Sequence, residues 1–335
     1  MTQNALPSFV PHPWLNGPHL QTIGAIYLRG RLPRYRATRR WVQLPDGDAI
    51  VLHDDLPESW REGDRVALLL HGLGGSHRSP YMVRLADKLN RRGVRAMRLD
   101  MRGCGAAWRT ALHPGHAGRS EDAAAAIRFI DQLCPGSPVA MVGYSLGANV
   151  ALKLAGELGA DSLGGLDGCF AAQPPMHLSS CAEYMREPER RIYSRAYVRS
   201  LMKQVKRRRE FTPAMRELPL TPHPQSIDEF DDRFTAPLSG FRDVDDYYEQ
   251  ASARRIIDGI ELPTVIVAAE NDPIIPIDIF RDVAYSASTN LHITASGGHC
   301  GYVGSRRVDP DRHWLEWRVV DWVLERGIRH PAKRS

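Results

Sequence analysis

The chain has 335 residues, 43% of them hydrophobic and 25% charged, with a formal net charge of +5. Such a composition suits one large globular domain, or a domain carrying an insertion, and excludes a disordered or collagen-like chain. No apolar run approaches about 18 residues and residues 1–7 lack a basic, then apolar leader, so neither a membrane-spanning helix nor a signal peptide is expected. Five scattered cysteines (Cys104, Cys134, Cys169, Cys181 and Cys300) form no C-x-x-C pair, which fits a reducing compartment and predicts a cytoplasmic protein.

In chain order, residues 40–44 and 49–53 are β-rich runs joined by Pro45-Asp46-Gly47-Asp48, which predicts a hairpin. From residue 66 onward apolar runs alternate with helical patterns, as in parallel strands joined by crossover helices. Val66-Ala67-Leu68-Leu69-Leu70 is apolar on both faces, as a buried central strand is. A helix over 80–92 and a strand over 94–99 follow; Ser120-Glu121-Asp122 then reads as a polar cap on a helix over 123–133. Strands over 139–142 and 166–172 flank a helical run from 148. Further strands over 264–269 and 291–295 complete the series, and an amphipathic helix over 314–326 closes it.

Between 174 and 260 this alternation stops, and Pro-containing connections surround a basic, helix-like run over 186–209. Lying between the sixth and seventh strands, the segment is expected to cover the carboxyl ends of the strands, where open α/β sheets bind ligands. The basic run holds ten Lys or Arg residues against Glu187 and Glu189, with apolar residues interleaved at near-helical spacing. That pattern favours a cap helix with a solvated basic face over nucleic-acid binding, which is not expected, and leaves contact with an anionic lipid surface open. The acidic stretches 228–232 and 243–246 are candidate partners for it inside the cap.

Gly143-Tyr144-Ser145-Leu146-Gly147 follows the 139–142 strand and opens a helix, the setting of a nucleophile elbow. A serine hydroxyl needs a histidine base, which in turn needs a carboxylate to hold its tautomer. Asp272, in Glu270-Asn271-Asp272-Pro273, lies just beyond the 264–269 strand, and His299, in Gly297-Gly298-His299-Cys300, just beyond the next. The order Ser145, Asp272, His299 matches an α/β-hydrolase triad; Glu270, Asp278 and Asp282 are the rival acids. The Leu73 amide, in His71-Gly72-Leu73-Gly74-Gly75, and the Leu146 amide are positioned to form an oxyanion hole. No Gly-Lys-Ser/Thr follows that glycine loop, which argues against a phosphate-binding P-loop. His113 and His116 form an isolated pair, so no metal and no cofactor are implied, and Cys300 beside His299 points a different way from its neighbour.

These residues resemble those of an α/β-hydrolase, and further segments resemble its YheT-like branch, the alpha/beta-hydrolase 4 family. They are Pro11-His12-Pro13-Trp14-Leu15 with His19-Leu20-Gln21-Thr22-Ile23, Ser79-Pro80-Tyr81, Met101-Arg102-Gly103-Cys104-Gly105, His116-Ala117-Gly118 with Glu121-Asp122, and residues 231–252 with Gly240-Phe241 and Asp246-Tyr247-Tyr248. Ala148 departs from the glycine usual there. The resemblance implies an α/β-hydrolase fold with an eight-stranded, mostly parallel sheet, and hydrolysis of a small-molecule carboxylic ester, lipid-like in some relatives. It divides the chain into an N-terminal family-specific segment (1–38), a core (39–173 and 261–335) and a cap (174–260). Acyl transfer by the same acyl-enzyme, or a non-catalytic lipid-binding or partner-binding scaffold, are the alternatives left open.

Overall fold

The computed structural model describes residues 6–28, 30, 32–305 and 308–327, so residues 1–5 of the N-terminal segment and residues 328–335 lie outside the described residues. Eight strands build a single sheet: β1 (Thr38–Gln43), β2 (Ala49–Asp55), β3 (Val66–Leu70), β4 (Arg95–Asp100), β5 (Val139–Tyr144), β6 (Leu166–Ala172), β7 (Thr264–Ala269) and β8 (Thr289–Thr294). They lie in the order β1-β2-β4-β3-β5-β6-β7-β8. The β1–β2 hairpin joins β4 antiparallel, and every pairing from β4 to β8 is parallel.

The two-sided apolar pattern of β3 explains its central place. All five residues are buried, Val66, Leu68 and Leu70 in one core layer and Ala67 and Leu69 in the other. An α1 helix (Pro18–Tyr27) precedes the sheet, and α2 (Pro80–Asn90), α3 (Ser120–Leu133) and α4 (Leu146–Leu158) connect its strands. Leu85 of α2 packs in one layer; Ile127 of α3 and Leu152 of α4 pack in the other. Helix α3 starts earlier than its sequence predicts, at Ser120, with Arg119 at its cap position and no side-chain cap; Asp122, in its first turn, pairs with Arg102 2.7 Å away.

Between β6 and β7 lie α5 (Leu178–Tyr184), α6 (Arg191–Arg208) and α7 (Val244–Ala251), with shorter turns between them. The basic run is therefore shorter than a helix over 186–209. Pro188 separates α5 from α6, since it can neither donate to nor fit within a continuing helix. Val198, Met202 and Val205 of α6 form a small core with Phe230 and Phe234. The expected pairing of acids with the basic helix is realised at one point, Asp228 with Arg186, which precedes α6. Asp243 instead caps α7, accepting the Asp246 amide at 2.8 Å, and Asp231 turns into the interior. The closing helix α8 (Trp314–Gly327) packs Val319 and Val320 beside α2. None of the described helices is long and apolar enough to cross a membrane.

Candidate active site

The strand-to-helix turn after β5 forces Ser145 to φ 51° and ψ −120°, a conformation that costs a non-glycine residue about 1–3 kcal/mol. Two contacts enforce it: Ser145 donates its amide to the Ala172 carbonyl at 2.8 Å, and its carbonyl accepts the Ala148 amide at 2.8 Å. The flanking glycines are steric requirements. A Cβ on Gly143 would lie 2.5 Å from Ala148 Cα, and one on Gly147 would lie 2.6 Å from the His71 carbonyl oxygen. Both are backbone contacts at which nothing can move aside cheaply.

The loops after β7 and β8 bring Asp272 and His299 to the same sheet edge as Ser145. His299 Nε2 lies 2.9 Å from Ser145 Oγ, and His299 Nδ1 lies 2.8 Å from Asp272 Oδ2. The other Asp272 oxygen accepts the amides of Ile274 and Ile275 at 2.8 and 3.0 Å. A carboxylate held this way can only accept, so the shared proton belongs on Nδ1 and Nε2 is left to accept the serine hydroxyl. The rival acids Glu270, Asp278 and Asp282 are all exposed; the first two face Arg281.

The glycine loop after β3 closes over the serine. Gly72 is so near that a Cβ on it would lie 3.2 Å from Ser145 Cβ, and its amide donates to Tyr81 Oη at 2.9 Å. Among the described residues the Leu73 amide has no acceptor. Leu146 is the first residue of α4, where an amide has no intrahelical acceptor and the helix dipole favours negative charge.

Several residues that hold this arrangement escape a sequence reading. Thr22 of α1 accepts the His299 amide on its Oγ1 at 2.8 Å. Gln21, fully buried, accepts the Val303 amide at 2.7 Å and donates to the Val303 carbonyl at 3.1 Å. Gln173 binds the same loop from below, donating to Gly298 at 2.5 Å and accepting the Cys300 amide. Asn271 accepts the Gly298 amide at 3.1 Å. The N-terminal motif containing Gln21 and Thr22 was the available signal, but nothing local in it names the histidine loop as its partner.

An apolar cavity of about 130 Å³ opens at Ser145 and runs beneath the segment between β6 and β7, past Leu178, Met185, Leu201, Phe234 and Ile274. His116 and Asp231 are among the titratable groups that line it. His116, wedged against Phe241 and Tyr247, is driven well below the usual histidine range by burial and is therefore a neutral wall. Asp231 accepts the hydroxyls of Thr235 at 2.6 Å and Tyr248 at 3.0 Å. It lines the cavity, and desolvation raises its pKa to about 7 despite both hydrogen bonds. Burial also pushes the Cys300 thiol well above its ordinary value, which removes thiolate character beside His299.

Two groups of potential metal ligands occur among the described residues. His53, His77 and Asp100 are buried together, and Asp46, Asp48 and His113 meet near the surface. In the first, both imidazoles bond Asp100 Oδ2, at 2.9 and 2.7 Å; in the second, Arg102 pairs with both carboxylates. Each group is thus an internally bonded network, the second involving the His113 that looked isolated in sequence.

The fold and this strand-edge arrangement define an α/β hydrolase. Residues 67–311 match the profile described as the alpha/beta hydrolase family, and the chain belongs to that family, in its esterase and lipase group. It is 30% identical to the protein named "Putative esterase YheT" of Escherichia coli (strain K12), over 94% of this chain and 92% of that one. It is 28% identical to Phospholipase ABHD3 of Mus musculus, covering 70% of this chain and 58% of the relative. Among solved structures, the Pyrococcus furiosus esterase Pf2001 shares the fold with a TM-score of 0.54 at 14% identity, covering 96% of this chain and 98% of that one.

Proposed function

We propose that the chain is a serine hydrolase that cleaves carboxylic esters through an acyl-enzyme on Ser145. The observation carrying this reading is the continuous line from Ser145 Oγ through His299 to Asp272, at 2.9 and 2.8 Å, beside the Leu73 loop amide and the first amide of α4. His299 takes the hydroxyl proton as Oγ attacks the ester carbonyl, and Asp272 stabilises the imidazolium that forms. The Leu73 and Leu146 amides hold the oxyanion, one such donor being worth about 3–4 kcal/mol. His299 returns the proton to the leaving alcohol, and water, activated by the same histidine, releases the acyl group.

Residues 174–260 act as the cap, and the apolar cavity beneath them receives a lipid-like acyl chain. The relatives named phospholipase and monoacylglycerol lipase support a substrate of that kind. The five unpaired cysteines support a reducing, cytoplasmic setting. Arg195, Arg199 and Lys203 of α6 and the apolar Leu20 and Tyr27 of α1 are exposed, and the two helices are linked by the His19–Tyr193 bond of 2.7 Å. That face suits peripheral contact with an anionic lipid surface. A fluorophosphonate probe tests the chemical reading: one equivalent should attach at Ser145 with loss of esterase activity. Attachment elsewhere, or none, would refute it.

A further inference from the structure

Arg208 ends α6, is only 5% exposed, and pairs with no carboxylate among the described residues. Its Nη2 donates to the carbonyls of Ala111 and His113, at 2.7 and 2.9 Å. Its Nε is buried without any hydrogen-bond partner, and its Nη1 bonds none of the described residues. Desolvation accordingly pulls the guanidinium below its ordinary value. A cation buried without an acid is costly unless an anion arrives from outside the chain.

The space to receive one is present. A cavity of about 270 Å³ is lined by Gly74, Ser76, Gly103, Gln204, Arg207 and Arg208. Gly103 packs directly against this guanidinium, since a Cβ there would lie 2.5 Å from Arg208 Nη1. Arg207 reaches the rim with its guanidinium 4.6 Å over the Trp108 ring. The nearby acids are already committed: Asp100 to His53, His77 and the Ala106 amide, and Asp48 to Arg102. Gly74, Cys104, Gln204 and Arg208 also line the apolar cavity at Ser145, so the two spaces are neighbours.

We propose that this glycine-lined cavity is a phosphate subsite, in which Arg208 and Arg207 bind the phosphate of a phosphorylated ester while its ester group lies at Ser145. Arg208 Nη1, which makes no bond to the described residues, can donate to one oxygen of a tetrahedral anion, and Arg207 supplies charge for a second. This assignment rests on the serine-hydrolase reading for the ester, but not for the anion.

The test compares a monoacylglycerol phosphate with the monoacylglycerol of the same chain. In the wild type the phosphorylated ester should show kcat/KM about 10-fold higher or more. That ratio should fall toward one in Arg208→Gln. It should fall about threefold in Arg207→Ala, whose exposed side chain can be removed safely should the buried variant not fold. Calorimetric titration of glycerol 3-phosphate into Ser145→Ala, with and without Arg208→Gln, reads the anion site independently of turnover. Binding of glycerol 3-phosphate lost with Arg208, but without preference for the phosphorylated ester, would support the site with a free phosphate compound as its ligand. A wild-type ratio near one with no glycerol 3-phosphate binding would overturn the subsite while leaving ester hydrolysis standing. A preference undiminished in both variants would overturn it too. Arg208-dependent binding with no ester hydrolysed would overturn the hydrolase reading and keep the site.

Discussion

Ser145 occupies a backbone conformation that only a fixed surrounding can maintain, and its hydroxyl meets a histidine whose other nitrogen is anchored to a buried acid. The two Asp272 oxygens divide their tasks, one fixed by backbone amides and the other by His299. Asp272→Asn keeps the shape but can donate to Nδ1, which favours the wrong tautomer; kcat should fall by about 10⁴-fold with melting temperature little changed. Steady-state kinetics beside thermal melts check this, and a comparable loss in Asp278→Asn or Glu270→Gln instead would reassign the acid. Ser145, Asp272 and His299 were legible because each follows directly on an apolar strand, so sequence alone puts them at one sheet edge. Arg208 was not. In sequence it is one of ten basic residues on an amphipathic run, and only tertiary packing reveals that it is buried without an acid.

Among the elements, α1 is the least expected participant. Its Thr22 reaches 277 positions along the chain to the His299 amide, a pairing that no local periodicity encodes. Thr22→Val leaves that amide unsatisfied and loosens the histidine loop. The expected result is a loss of about 10-fold in kcat with KM little altered, restored by Thr22→Ser. Equal activity in all three forms would reduce the contact to packing. The strands were legible almost to the residue where both faces are buried, as in β3 and β6. The helices between β6 and β7 were not, because Pro188 and the short turns break the pattern and side chains such as Asp231 choose interior partners.

Asp231 also gives that segment a pH signature. Burial pushes its carboxyl up to about 7, above the ordinary carboxylate range, so the folded state holds a proton that the unfolded chain releases. The stability it confers is complete below about pH 4 and is lost as pH rises through 7. Asp228, held by Arg186, is the charged neighbour that reinforces the shift. Asp231→Asn should therefore gain more stability over wild type at pH 8 than at pH 5, by at least about 2 °C in Tm. A larger gain at pH 5 would contradict this sign.

For the molecule as a whole, a two-layered α/β core meets the helical segment between β6 and β7 at the sheet edge that holds Ser145, with cavities between them. The apolar cavity of about 130 Å³ predicts a preference for short to medium acyl chains. p-Nitrophenyl esters of graded length should show an interior optimum, whereas a monotonic rise through the longest chains would mean that the segment opens fully. The basic face of α6 with the apolar residues of α1 predicts sedimentation with vesicles containing anionic lipid and release at high salt. Binding equal on neutral vesicles would remove the electrostatic part.

The proposed role of Ser145 as the attacking nucleophile is tested by kcat/KM for a p-nitrophenyl ester in wild type and in Ser145→Ala. A fall of about 10⁴-fold or more is expected, with the fold intact. Turnover near the wild-type rate in that variant would contradict it.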